Sequence, residues 1–580
     1  MQRKKQSFFK GALILSVAAL IVKLLGAVFK IPLANILGGD GMGYFSTAYD
    51  LYMPVYVISN AGLPVAIARI VAESVSENRF RDVRRTLKIA NTVFLITGTV
   101  GFCILFFGAG FFVNTIKNPG AYLAVMAMAP TVFFVCLTSA YKGYYEGLSN
   151  MYPTALSQVI EVVVKLVFGL GLSMVAYKVG ISEFETSGTV FGTAYASFED
   201  AKLRVLQIAA AGAILGVALG ACGSFLSVYI RHKKSGDKIT EEELSAKQEV
   251  TPTKTILKRI VKIAVPIALG SCVGQITGII DLWSVLDRLG HAVSLDFSTI
   301  QRIYGSAIPA GKALDSIPNY LNGCYKGMAV NLYNLIPTFT VAFGVSALPA
   351  ITTAWTEKNM ASLKENVEAV LRVTMLLVLP AGIGMSFLSH GILNLLYGAR
   401  PEEVEIAAPL LAILGIAVIF SSTCSPINSM LQAAGRADLP VKIMVGCAAF
   451  KLVFNYLTVG VPEINIKGAA IGTLLCYVLI MTISLYFLVK NTKVKLDYKM
   501  VFIKPLIAAL SCGISARLVY QLLMGALPEK LCTVFGIVVG GVVYIVVLVL
   551  LRAINEDDIR KMPKGEKLAA IYKRLPGIKN

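Results

Sequence analysis

Two lysines inside the first long apolar run of the chain are the residues best placed to do chemistry. Lys23 and Lys30 lie in the stretch 12–73 and are seven residues apart, which is two turns of a helix and places both side chains on one helix face. A charge inside a bilayer is costly unless it faces a partner, water or cargo. The spacing therefore predicts a paired basic face suited to an anion. The structural alternative is that Lys30 extends toward the outer interface and Lys23 pairs with a carboxylate.

Five more charged residues in apolar runs are candidate site residues. Arg69 is a candidate for cargo binding. Lys165 and Lys451 fall at similar expected depths in their helices and are candidates for a role in cargo binding or gating. Because coupled transporters use carboxylates inside the helix bundle, Glu161 and Asp281 are candidate sodium or proton sites. These residues also have simpler explanations, since buried membrane charges are often paired for structure. Glu161 can pair with Lys165 one turn away, Asp281 can end a helix at the outer surface, and Arg69 can anchor a helix end.

The composition places these residues in an integral membrane protein. Of 580 residues, 56% are hydrophobic and 15% charged, whereas soluble domains average roughly 45–50% apolar and about 25% charged residues. The net charge of +20 comes from basic residues in short loops, where they determine topology and contact anionic lipid. We therefore expect anionic membrane lipids, and no nucleic acid, as partners.

Motifs for catalysis, metal binding or cofactor binding are weak or missing in the sequence. The ten cysteines form no CxxC pair, and the three histidines are scattered. The nearest phosphate-loop pattern, at 305–313, has one residue too many between its glycines and no Ser or Thr to hold magnesium. We expect no enzyme activity, no metal site and no cofactor.

The apolar runs predict an all-α polytopic protein with fourteen transmembrane helices. An even number places both termini on one side, and the Lys- and Arg-rich loops make that side cytoplasmic. The opposite loops, such as 38–45, carry few basic residues. The predicted helices lie near 11–37, 46–74, 89–114, 120–145, 152–177, 204–230, 257–285, 320–354, 366–389, 405–431, 439–460, 466–489, 501–523 and 531–552. The long run 320–354 is expected to break at Pro337.

Internal similarity indicates two six-helix halves. The segment AGLPVAIARIVAE at 61–73 parallels SALPAITTAWTEK at 346–358, and KLVF occurs at both 165–168 and 451–454. Six helices separate the copies, so the halves are expected to be related by a pseudo-two-fold axis along the membrane normal. The polar stretch 231–256 is the predicted linker. The predicted domains are 1–255, the N-terminal bundle and linker; 256–499, the C-terminal bundle; and 500–580, two helices with a basic cytoplasmic tail.

Three motifs resemble a known family. They are AYDLYMPVYVISNAGLPVAIARIVAE at 48–73, YYEGLSNMYPTALSQVIEVVVKLVF at 144–168 and NLYNLIPTFTVAFGVSALPAITTAW at 331–355. Together they resemble the stage V sporulation protein B and polysaccharide-biosynthesis branch of the multidrug/oligosaccharidyl-lipid/polysaccharide (MOP) flippase superfamily, which includes the MurJ-type lipid II flippases. The resemblance implies two six-helix bundles around a central cavity, with two C-terminal helices forming a groove for a lipid tail. It also implies a bacterial plasma membrane protein that moves an undecaprenyl-diphosphate-linked saccharide to the outer leaflet by alternating access.

The same resemblance assigns roles to individual lysines. VKLLG at 22–26 matches a family stretch that contains arginine, with Lys23 in the arginine position. Phe29 stands where a second family arginine would fall, with Lys30 next to it, and Lys326 is the nearest cation in the corresponding part of the eighth helix. Since the second half repeats the local pattern without Lys23 and Lys30, we expect the N-terminal half to hold the diphosphate.

The first functional hypothesis is therefore a flippase for a lipid-linked oligosaccharide, with the peptidoglycan precursor lipid II as first choice. One alternative is a multidrug exporter of the same superfamily, coupled to sodium or protons, which would be expected to carry acidic residues in its cavity. The other is a non-transporting scaffold for envelope synthesis or sporulation.

Overall fold

A computed structural model describes residues 8–60, 62–237, 239–245, 250–309, 311–436 and 438–553. These residues are almost entirely helical and form two compact units. The first unit comprises Met1–Gln301 and Ile308–Gly327, and the second comprises Arg302–Ala307 and Met328–Asn580. The predicted basic N-terminus and most of the basic tail lie outside the described residues. The predicted domains 1–255, 256–499 and 500–580 stay a prediction. They derive from the internal sequence repeat, whereas the two units are defined by contacts in the fold.

The first unit is built mainly from long helices. Strands β1 (Thr189–Val190) and β2 (Thr193–Ala194) pair antiparallel between two of them. The helices are α1 (Phe8–Asn60), α2 (Leu63–Ser76), α3 (Phe80–Thr115), α4 (Tyr122–Gly147), α5 (Tyr152–Ser187), α6 (Phe198–Ser235), α7 (Glu241–Ser245), α8 (Thr253–Leu295) and α10 (Ile317–Gly323), with α9 (Phe297–Tyr304) at the unit boundary.

The second unit is also helical, and its core lies between α12, α13, α15, α16, α17, α18 and α19. Leu371, Ile427 and Val501 are among its fully buried side chains. The helices are α11 (Val330–Tyr333), α12 (Leu335–Thr356), α13 (Met360–Phe387), α14 (Ser389–Tyr397), α15 (Pro401–Ala433), α16 (Asp438–Val459), α17 (Ile466–Thr492), α18 (Lys504–Leu523) and α19 (Glu529–Leu550).

Within the described residues, eleven helices are long and apolar enough to cross a membrane. The prediction of an all-α polytopic fold is confirmed. The number fourteen stays a prediction, partly because α1 joins two predicted helices and α2 has only 14 residues.

Helix α1 differs most from the sequence prediction. The loop predicted at 38–45 is wrong, because the chain kinks at Gly38 and then resumes the helix. Gly38 has φ 60° and ψ −168°, a conformation that glycine adopts without the steric cost that a Cβ would impose. The helix also passes very close to α10, since a Cβ added to Gly323 would lie 1.7 Å from the carbonyl oxygen of Gly39. Glycine on α10 therefore allows the kinked region to pack without an intervening side chain.

The predicted eighth helix, 320–354, is also divided. Helix α10 is followed by a π-helical turn at Cys324–Ala329, by α11, and by a break at Asn334 before α12 begins at Leu335. The predicted position of the break is Pro337, and the observed break at Asn334 lies three residues earlier. Pro337 instead occupies the first turn of α12, a position at which proline is tolerated. The π-helical turn carries the candidate residue Lys326.

Side-chain contacts hold the predicted linker against the first unit. Arg84 Nε on α3 donates to Asp237 Oδ2 at 3.1 Å, and the hydroxyl of Tyr144 on α4 donates to the same oxygen at 2.8 Å. Farther along, the backbone N–H of Thr251 donates to Asp82 Oδ1 at 3.0 Å. Partial burial raises the pKa of Asp237, but the hydrogen bonds, with that from Arg84 foremost, outweigh this effect and leave its pKa below the ordinary value. The linker is thus anchored at both of its ends.

Candidate functional site

A cluster of three lysines and two carboxylates lies inside the first unit. We call it the cation cluster: Lys30, Lys165 and Lys326 with Asp50 and Glu161. Lys30 is half-buried on α1, where the charges that act on it are those of Lys165 and Asp50. Glu161 is one turn from Lys165 on α5 and acts on it in turn. The structure thus brings together four candidate residues, Lys30, Lys165, Lys326 and Glu161, with Asp50.

An ion pair connects Lys326 to the cluster. Its Nζ donates to Asp50 Oδ2, and both side chains are part-buried. Asp50 lies on the segment of α1 that follows the Gly38 kink, whereas Lys326 lies in the π-helical turn. Removing one partner of such a pair destabilises a protein to the extent that the remaining charge stays buried. Because Asp50 is close to both Lys326 and Lys30, it is the carboxylate with which an anionic ligand would compete.

Aromatic rings hold the head group of Lys165 in place. Its Nζ lies 4.8 Å from the ring centre of Phe29 and 5.6 Å from that of Tyr49, both within the range of a cation–π interaction. Phe45 links these two rings, with centroid distances of 6.2 Å to Phe29 and 5.0 Å to Tyr49. Phe45 and Tyr49 are four residues apart and therefore lie on one helix face, and Phe29 reaches the same row from the segment of α1 before the Gly38 kink.

Close packing of α6 fixes the stem of Lys165. A Cβ added to Gly220 on α6 would lie 2.6 Å from the carbonyl oxygen of Glu161 and 3.2 Å from Lys165 Cβ. The two helices therefore meet directly at the turn that carries the lysine. The ammonium group is positioned by α1 and the side-chain stem by α6.

Lys23 and Arg69 occupy different surroundings. Lys23 is exposed on α1, although Lys30, two turns later, is half-buried. Arg69 is exposed on α2, where its charge acts on Glu73. Glu73 accepts a hydrogen bond of 2.7 Å from Arg259 on α8. This network at the end of α2 agrees with the anchoring explanation for Arg69, and its role in cargo binding stays a prediction.

The other two predicted residues lie elsewhere. Asp281 is half-buried in α8, and its backbone carbonyl accepts a hydrogen bond of 3.1 Å from Ser284. Lys451 is half-buried on α16 of the second unit, where its charge acts on Tyr477. Their roles in ion coupling and cargo binding are not tested by these contacts.

A second, fully buried ion pair went unnoticed in the sequence. Lys312 Nζ donates to Asp40 Oδ2 at 2.6 Å and lies 4.5 Å from the ring centre of Tyr320. Asn319 on α10 donates to the carbonyl of Asp40 at 3.0 Å, and Asn118 donates to the side-chain oxygen of Asn319 at 2.8 Å. The pair joins the α1 kink to the segment before α10. Asp40 inside an apolar, glycine-rich run was the one signal that could have found it.

A histidine with two carboxylate partners is the main polar cluster at α14 in the second unit. His390 Nδ1 is 2.8 Å from Glu529 Oε1, and Nε2 is 2.9 Å from Glu405 Oε1. The hydroxyl of Tyr520 also donates to Glu529 Oε1, at 2.6 Å. Burial lowers the pKa of His390, but the two hydrogen bonds outweigh that effect and hold the pKa above its ordinary value. The imidazole of His390 ties together α14, α15 and α19.

Across the described ranges, no group of three or more His, Cys, Asp and Glu side chains could hold a metal ion. The charged groups of the cation cluster are lysines that face carboxylates, with aromatic rings against Lys165. Such an arrangement can bind an anion by charge and by charge-assisted hydrogen bonds.

The sequence matches the profile of the family described as polysaccharide biosynthesis protein over residues 8–355, which is more than half of the chain. The chain belongs to this family. A second match, to the family described as lipid II flippase MurJ, covers residues 329–535. The resemblance inferred from the three motifs to the polysaccharide-biosynthesis family and its MurJ-type members is thereby confirmed.

Relatives of known name cover nearly the whole chain. The lipid II flippase MurJ of Bacillus subtilis strain 168 is 23% identical, over 92% of this chain and 94% of its own length. Stage V sporulation protein B of the same organism is also 23% identical, over 96% of this chain and 98% of its own length. These relatives are named as a flippase and a sporulation protein, in agreement with the prediction that the chain is not an enzyme.

Solved structures support the fold of the family. A lipid II flippase MurJ in an inward closed conformation matches with a TM-score of 0.61 at 14% identity, over 93% of this chain and 99% of that one. An inward-facing multidrug resistance MATE family transporter of the MOP superfamily matches with a TM-score of 0.55 at 13% identity, over 83% of this chain and 99% of that one. This chain therefore has the same polytopic fold as these two solved transporter structures.

Proposed function

We propose that this protein is a flippase that moves an undecaprenyl-diphosphate-linked saccharide from the inner to the outer leaflet, with lipid II as the first-choice cargo. The observation that carries the proposal is the cation cluster, in which three lysines face two carboxylates inside a unit of apolar helices. A diphosphate is a strong anion that can replace part of the hydration of these ammonium groups. Matches to relatives named as lipid II flippases support this choice of cargo.

The lysines define how the cargo is held. Lys30 and Lys326 contact the diphosphate, and exposed Lys23, two turns away on α1, attracts it first. A lysine is a compact point charge without the two-pronged geometry of arginine, so contacts are looser than in arginine-based sites. An inside-negative membrane potential assists expulsion of an anion by about 2.3 kcal/mol per charge per 100 mV.

The remaining predicted features complete the proposal. The protein lies in a bacterial plasma membrane with both termini in the cytoplasm, as the distribution of basic loop residues indicates. Arg69 and Lys451 serve as further cargo contacts. Glu161 and Asp281 bind a coupling sodium ion or proton.

Complementation of a lipid II flippase deficiency tests the proposal. Lys23→Ala and Lys30→Ala should each abolish growth while protein levels are maintained, because each removes an ammonium group that binds the diphosphate. Lys178→Ala, at an exposed lysine of α5, is the matched control and should support growth. Normal growth of both test variants, or failure of the unaltered protein to complement, would contradict the assignment.

The carboxylate of Glu161 within the cluster favours one second candidate, a cation-coupled multidrug exporter. In that case overexpression should raise drug resistance, and Glu161→Gln should remove the effect because a neutral amide cannot bind the coupling cation. A parallel measurement of lipid II translocation in liposomes distinguishes the two functions. Resistance without translocation would replace the flippase proposal.

A further inference from the structure

We propose that Lys165 on α5 is a direct phosphate ligand, so that Lys30 and Lys165 each bind one phosphate of a diphosphate cargo. The inference rests on the proposed function and deepens it. It assigns the selection of a diphosphate over a monophosphate to two lysines on different helices.

The first argument is the position of Lys165. Its ammonium group lies against the rings of Phe29 and Tyr49 on α1, and Phe29 is the residue before Lys30 in the chain. The side chain is half-buried rather than enclosed, so a ligand can reach the ammonium group. Cation–π contacts orient an ammonium group without neutralising it, which leaves its charge available to a phosphate.

The second argument is the charge count of the cluster. Three lysines, Lys30, Lys165 and Lys326, face two carboxylates, Asp50 and Glu161, so the excess is one positive charge. Asp50 already pairs with Lys326. The like charges of Lys30 and Lys165 disfavour each other, and an anion that bridges them removes this repulsion.

The third argument is geometric. Lys30 lies on α1 and Lys165 on α5, and Lys165 Nζ is 4.8 Å from the ring centre of Phe29, the residue next to Lys30 in the chain. The two lysines are close enough for the charge of one to act on the other. Two linked phosphates can satisfy both groups, whereas one phosphate has fewer oxygens to share between them. The pair therefore discriminates by the number of phosphates and is indifferent to the attached sugar.

The competing explanation is a purely structural pair between Lys165 and Glu161. In that case Lys165→Gln and Glu161→Gln would weaken the fold and the binding to the same extent, because each breaks the same contact. If Lys165 is a phosphate ligand, Glu161→Gln instead removes a competing carboxylate. Diphosphate binding should then be retained or strengthened.

The test compares undecaprenyl diphosphate with undecaprenyl monophosphate as probes for the purified full-length protein in nanodiscs. The unaltered protein should prefer the diphosphate. Lys165→Gln should weaken diphosphate binding roughly 10- to 100-fold, as expected for loss of one charge-assisted contact, and should change monophosphate binding little. Lys165→Arg should retain the preference, and Lys178→Gln on the same helix is the matched control.

The outcomes separate the two proposals. If the unaltered protein binds neither lipid, the proposed function fails. If it prefers the diphosphate and Lys165→Gln keeps that preference, the role of Lys165 is refuted while the flippase proposal stands. Thermal unfolding shows whether each variant is folded. Should Lys165→Gln not fold, Lys165→Met and Glu161→Gln carry the comparison, and equal losses in both would also refute the role.

Discussion

Replacing Lys312 with methionine tests whether the buried ion pair stabilises the first unit. The side chains of Lys312 and Asp40 are only 3% and 9% exposed, and their charged atoms are 2.6 Å apart. Methionine keeps the approximate length of the side chain and removes the ammonium group. The carboxylate of Asp40 then stays buried without its cation.

The expected loss is large. Removing one partner of a buried pair costs roughly 3–5 kcal/mol, and Lys312 also loses its contact with Tyr320 at 4.5 Å, a type of interaction worth about 2 kcal/mol when desolvated. The other carboxylate oxygen of Asp40, Oδ1, has no hydrogen-bond partner among the described residues that could compensate. We therefore expect a loss of about 5 kcal/mol in the free energy of unfolding.

Unfolding in mixed micelles with increasing SDS, followed by circular dichroism, measures this loss. The double variant Lys312→Met/Asp40→Asn should lose less than Lys312→Met alone, because no charge is then left buried. The loss for Lys312→Met should also be smaller at pH 5 than at pH 8, since a lone buried carboxylate can take up a proton. Lys117→Met is the control, because Lys117 forms an exposed pair with Asp287 that should contribute about 0–1 kcal/mol. Equal small losses for Lys312→Met and Lys117→Met would refute the reasoning.

Two further predictions concern α14 and α10. His390→Gln should destabilise the second unit most at low pH. The raised pKa of His390 means that its stabilisation is complete below about 6.5 and is lost as the pH rises through the folded-state value. The free energies of unfolding of the unaltered protein and of His390→Gln, measured between pH 5 and 9, should differ less as the pH rises. A difference that stays constant with pH would contradict the ion-pair account. Gly323→Ala should lower thermal stability and expression, because the added Cβ would overlap the backbone of Gly39. Gly278→Ala is the control and should change neither quantity, because there is open space around Gly278. Equal thermal stability of the two variants would show that α1 and α10 can separate at no cost.

Local sequence patterns were sufficient to predict the helical membrane fold and part of the site. Apolar length identified the long helices, and the cost of membrane charge singled out Lys30. The seven-residue spacing gave Lys23 and Lys30 the same face, yet one is exposed and the other half-buried. Periodicity predicts which side chains share a helix face. It does not predict how far the neighbouring helices cover that face, and this coverage determines which side chains are exposed.

The rest of the site depends on contacts between distant segments. Asp50 and Lys326 are 276 residues apart in sequence, and no local pattern pairs them. The kink at Gly38 was equally hidden, because a glycine-rich stretch is compatible with a loop or with close helix packing. The repeat singled out Lys165 because it lies at a similar expected depth to Lys451, but its contact with the rings of α1 requires the tertiary arrangement.

The anchored linker determines what a spectroscopic label would report. Because Asp237 and Thr251 are hydrogen-bonded to side chains of α3 and α4, a fluorophore on α7 between them would report on the first unit. Under the proposed alternating-access cycle, such a label would be a poor sensor of opening and closing. Labels for distance measurements are better placed on helices of the second unit, with the linker serving as a fixed reference point.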